Sequence, residues 1–87
     1  MDVNLTSINK VTIQSVKLKS MESREYLRQA RNKMTDAYSN FRKYYKQDEN
    51  EELSRYKKMC VDKIEEIDAM INQLNTTINE CDIFLSK

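Results

Sequence analysis

The chain has 87 residues, 33% of them charged and 39% hydrophobic, with a formal net charge of +1. It holds no glycine, proline, histidine or tryptophan. These absences exclude a glycine-built phosphate loop, remove the commonest general base and take away the usual punctuation of turns and strands, so the expected fold class is all-α with very few turns.

One domain is expected over residues 1–87. No apolar run approaches the ~20 residues of a membrane span. The opening MDVNLTSINK lacks the basic-then-apolar layout of a secretory signal. A cytoplasmic location is expected, with any export proceeding as a complex by a route that reads no such signal.

Residues 1–6 are expected to be extended or frayed, with Thr6 or Ser7 as the helix cap. The first helix is predicted over about 7–46. Its clearest apolar run is Leu27, Ala30, Met34, Ala37, Phe41 and Tyr44, at heptad spacing. Traced backward, the run meets Ser20 and Ser23 before reaching Val16 and Ile13, while Val11, Leu18 and Met21 fall on another face. The stripe is therefore expected to drift or split near residue 20. The β-branched stretch VTIQSV makes this the least secure helical segment.

A short turn is predicted at about 46–50, within KYYKQDENEELS. Arg42, Lys43 and Lys46 suit a helix C-terminus, and Asp48, Glu49, Glu51 and Glu52 suit an N-terminus. Asp48 with Glu51 resembles a capping box. The alternative at this point is one continuous helix.

The second helix is predicted over about 50–86. Leu53, Cys60, Ile67, Leu74 and Cys81 recur every seven residues, and Ile64, Ile71, Ile78 and Leu85 repeat the spacing four residues on. Tyr56, Met70 and Phe84 lie beside this seam and widen it toward the stripe a helix bundle needs. Ile64, Ile67, Ile71, Leu74 and Ile78 are the expected hairpin or bundle core. Leu27, Met34, Phe41, Tyr44, Tyr45 and Phe84 are the expected partner-contact residues, because tyrosine and phenylalanine favour interfaces and three tyrosines crowd the turn region.

Charge divides unevenly along the chain. Residues 1–46 hold ten Lys/Arg and four Asp/Glu, a surplus of six positive charges; residues 47–87 hold five and ten, a surplus of five negative ones. Helices of opposite charge lying side by side account for this. Nucleic-acid binding through Lys10, Lys17, Lys19, Arg24, Arg28 and Arg31 is the weaker reading, because acidic residues interrupt the basic ones.

No catalytic, cofactor or metal site is expected. Cys60 and Cys81 sit on the seam with no histidine to act as base or ligand. On one straight helix they would stand ~31 Å apart, far beyond the ~7 Å a disulfide spans. The carboxylate pairs Glu65–Glu66 and Asp62–Asp68 read as solvated surface. Arg28, Arg31 and Lys57 read as surface or seam-edge residues.

Two equal helices, a midpoint turn and aromatics at that turn resemble the small WXG-type proteins of type VII secretion, and more closely their relatives that accompany LXG toxins. Tyr45-Lys46-Gln47, or Tyr44-Tyr45-Lys46, stands where that family has Trp-x-Gly. The family's export signal sets an aromatic residue four positions before an acidic one; here Phe84 is followed by Leu85, Ser86 and Lys87. The resemblance implies a helical hairpin that binds the helical domain of a toxin, with the partner or a second small protein carrying the export signal.

A lone hairpin buries one stripe of each helix, a poor core for a chain of this size. The expectation is therefore an antiparallel hairpin that assembles into a four-helix bundle with a protein partner, either the helical domain of a larger protein or a second copy. The expected function is a non-catalytic targeting factor or chaperone. The alternatives are a small regulatory hairpin that docks on a signalling protein or enzyme, and a structural coiled-coil oligomer. The second helix lacks the Ser-x-x-Leu-Asp signature of sporulation phosphatase hairpins.

Overall fold

The computed structural model describes residues 2–44 and 51–87, with the side chains of 9–41, 43 and 51–87. It contains two helices, α1 (Asp2–Tyr44, 43 residues) and α2 (Glu51–Leu85, 35 residues), packed against each other as an antiparallel hairpin. Among the described residues there is no strand. A 43-residue helix rises ~65 Å, which accounts for the long dimension of a molecule measuring 69 × 16 × 16 Å.

The helix boundaries follow local chemistry. α1 begins at Asp2, upstream of the expected start at residue 7, and the segment expected to be extended is helical. No glycine or proline interrupts residues 2–7, and an acidic residue at the helix start complements the dipole. α1 is described as far as Tyr44, and its expected end at 46 lies outside the described residues. α2 opens on Glu51 and Glu52, two acids in its first turn. It closes at Leu85 with the Ser86 amide donating to the Asp82 carbonyl at 3.0 Å and the Lys87 amide to that of Phe84 at 3.2 Å. The expected turn at 46–50, with Asp48 of the expected capping box, lies outside the described residues.

Three threonines in the helix interiors bond within their own helix. Thr35, Thr76 and Thr77 each donate their hydroxyl to the carbonyl four residues back, at 2.9, 3.2 and 3.2 Å. Their polar group is thereby satisfied within the helix, so none of them requires a tertiary partner.

The core is thin. Among the described residues only Ser20, Cys60, Ile78 and Cys81 are buried, and no large side chain is fully enclosed. The other seam residues of α2, Leu53, Ile64, Ile67, Ile71, Leu74 and Leu85, are half-buried. On α1 the row Ile13, Ser20, Leu27, Met34 and Phe41 lies on the seam throughout. The expected split at residue 20 is thus corrected. Ser20 continues the stripe because its side chain is small enough to be covered where the helices approach. Val11, Leu18 and Met21 remain exposed on other sides of α1.

Cys60 and Cys81 are free and buried. A thiol must ionise and meet its reagent to react. Both are therefore expected to resist a disulfide reagent in buffer and to titrate fully in urea. Rapid reaction of both without denaturant would show that the hairpin opens readily.

Candidate interaction surface

Two sides of the hairpin flank its seam, and they differ in chemistry. One carries a polar ladder. The Lys17 ammonium contacts Asp82 Oδ1 at 2.6 Å, Arg24 Nη1 donates to Asn75 Oδ1 at 2.8 Å, and Arg31 Nε donates to Asp68 Oδ1 at 2.6 Å. The three rungs step seven residues forward along α1 and seven backward along α2. This fixes the antiparallel register over residues 17–31 of α1 and 68–82 of α2. The rungs are partly solvated, so each ion pair contributes little to stability. Their value is alignment, as with charged flanks in coiled coils.

The middle rung is incomplete. Asn75 carries no charge, and the buried Arg24 Nε has no hydrogen-bond partner among the described residues. A buried, unpaired donor on a cation is costly.

The opposite side is the more apolar one, with Ser23, Lys63 and Thr77 interrupting its apolar residues. At 100° per residue, Val16, Ser23, Ala30 and Ala37 of α1 lie across the seam from the ladder residues. On α2 the same side holds Tyr56, Lys63, Met70, Thr77 and Phe84. Val16 and Tyr56 are each 40% exposed and Met70 is 47% exposed, while Ala30, Ala37 and Phe84 are half-buried. The Arg55 guanidinium stacks over the Tyr56 ring at 5.6 Å. Large side chains thus line one helix of this face and small ones the other.

The sequence-derived partner residues distribute as follows. Leu27, Met34 and Phe41 are half-buried along the seam row of α1, alongside the ladder residues Arg24 and Arg31. Phe84 is half-buried at the edge of the apolar face. Tyr44 falls on α1, but its side chain is outside the described set, and Tyr45 is outside it altogether. Of the core set, Ile78 is buried at 7% exposure, and Ile64, Ile67, Ile71 and Leu74 are half-buried on the α2 seam.

Sequence reasoning missed the ladder. Its signal was present as Lys17, Arg24 and Arg31 at heptad spacing, matched by Asp68, Asn75 and Asp82. It also missed Met59 among the exposed apolar residues.

No helix among the described residues is long and apolar enough to cross a membrane. Among the same residues there is no group of three or more His, Cys, Asp or Glu side chains that could hold a metal ion. No protein-family model, curated protein or solved structure matches the chain.

Proposed function

We propose that the chain is a non-catalytic interaction protein, a helical targeting factor that completes its core against a larger helical partner. The observation that carries this reading is the contrast between the two sides of the hairpin. One is polar and aligned by the ladder; the other presents Val16, Tyr56 and Met70 to solvent. An apolar strip of this kind on a two-helix protein marks an interaction site. The recognition chemistry is helix against helix, with side chains of α2 and gaps of α1 as knobs and holes.

The helical N-terminal domain of a type VII secretion effector is the partner class that the WXG-like layout implies. The test is co-expression with the helical domain of a toxin encoded beside this chain. A complex of fixed stoichiometry, lost on Met70→Asp and retained on the solvent-face change Lys58→Ala, is the expected result. A folded hairpin that stays separate from such a domain at about 100 μM, where even micromolar affinity would register, would refute the reading.

A further inference from the structure

We propose that the apolar face pairs with a second copy of this chain around a two-fold axis parallel to the helices, so that α1 of each copy lies on α2 of the other. This rests on the reading of the hairpin as an interaction module and names one occupant of its apolar face. A larger target would compete with that copy for the same surface.

Area is the first argument. The hairpin exposes 7026 Å², whereas a compact protein of its mass, 10.4 kDa, exposes about 5,400 Å². The surplus, about 1,600 Å², exceeds the roughly 800 Å² that each partner contributes to a standard interface.

Self-complementarity is the second. An axis parallel to the helices has no translation along them, so each residue of α1 meets the residue of α2 at its own level in the other copy. The ladder supplies those levels. Ala30 meets the partner's Met70, Ser23 meets the partner's Thr77, and Val16 meets the partner's Phe84. Small positions on one helix thus face larger ones on the other, as a packed bundle requires.

Charge is the third argument and it selects the axis. Outside the apolar strip, α1 carries Lys19 and Lys33, and α2 carries Glu66 and Glu80. In the same register Lys33 is level with the partner's Glu66, and Lys19 with the partner's Glu80. All four residues are exposed. Among the described residues of the single hairpin, Glu66 pairs along its own helix with Lys63 at 3.0 Å, and Lys19 with Glu22 at 3.7 Å. Exposed pairs of this kind are weak and easily exchanged. A two-fold axis across the helices would set α1 on α1 and bring the lysine-bearing flanks together, which like-charge repulsion disfavours.

The experiment is sedimentation equilibrium on the full chain and four variants. The parent chain is expected to be a dimer at about 100 μM. Ser23→Arg, at an exposed position on the same side of α1, should give a helical monomer. Lys33→Glu and Glu66→Lys should each weaken the dimer by about tenfold, because each change alters two symmetric contacts. The double exchange should restore it. Carbodiimide coupling in a mixture of ¹⁴N and ¹⁵N chains should join Lys33 of one copy to the partner's Glu66. Dimers unaffected by the single exchanges, or coupling confined within one chain, would overturn the proposal. A monomer that becomes fully helical only with a separate helical protein would overturn this pairing and leave the functional proposal standing. A monomer that melts cooperatively by itself would overturn both.

Discussion

Ile71→Asp is expected to abolish the folded assembly. Ile71 lies on the α2 seam between Ile67, Leu74 and the buried Ile78. Truncating an aliphatic core residue costs about 2–5 kcal/mol, and a carboxylate at the same place adds the desolvation of a charge with no partner. Small domains hold only about 5–15 kcal/mol in reserve, and the thin core here places this one toward the low end. The helical circular dichroism signal should collapse, since long helices depend on packing of their apolar face. Ile71→Val is the control, with an expected loss of about 0.5–1.5 kcal/mol. A chain carrying Asp at this position that kept its helicity and its mass in solution would contradict the seam as described.

Asn75→Asp is expected to stabilise the protein. Among the described residues Arg24 donates to the Asn75 amide oxygen, at 2.8 Å, and its buried Nε has no hydrogen-bond partner. A carboxylate at this position supplies two acceptors and the missing charge, in the forked geometry that guanidinium favours. A gain of about 1 kcal/mol is expected after discounting for solvent. For a domain of this length that raises the melting temperature by about 4–8 °C. The sign with pH follows from the carboxylate being the charged partner. Its folded-state pKa is lowered by Arg24, so the gain is present at neutral pH and is lost as acid protonates the new group. Salt should also reduce it. An unchanged or lower melting temperature would show that the Arg24 donor is satisfied in solution by other means.

Much of the architecture was legible because its determinants are periodic. The heptads of α2 are clean, and their most buried residues are those of the expected seam, Cys60, Ile78 and Cys81. The absence of glycine and proline leaves little besides helix for the chain to form. Ser20 misled because periodicity counts apolar residues, whereas burial depends on how closely two helices approach. A small hydroxyl residue at a seam position reads as a break in sequence and behaves as a place of close packing in three dimensions. The start at Asp2 was misjudged for a related reason. Nothing in residues 2–7 prohibits helix, and a local preference for a cap at Thr6 or Ser7 is weak beside continuation of a long helix.

The candidate surface was less legible than the fold. Leu27, Met34 and Phe41 were assigned to a partner from their apolar character alone, and the structure places them along the seam row. Which side of a stripe faces the neighbouring helix and which faces outward depends on the phase between two helices. The ladder sets that phase, through residues that look like ordinary surface charges when each helix is considered separately.

The ladder also settles an ambiguity that the greasy stripe leaves open. A repeat of seven tolerates sliding by seven, because most seam residues then meet another apolar seam position. The polar rungs do not tolerate it. Moved one notch in one direction, Arg31 would face Val61; moved the other way, Asp68 would face Tyr38. Either misalignment strands a full charge against a side chain unable to neutralise it. During folding, mispaired zippers would therefore be discarded on ionic grounds, the two charged rungs on either side of the neutral Asn75 acting as the teeth of the key.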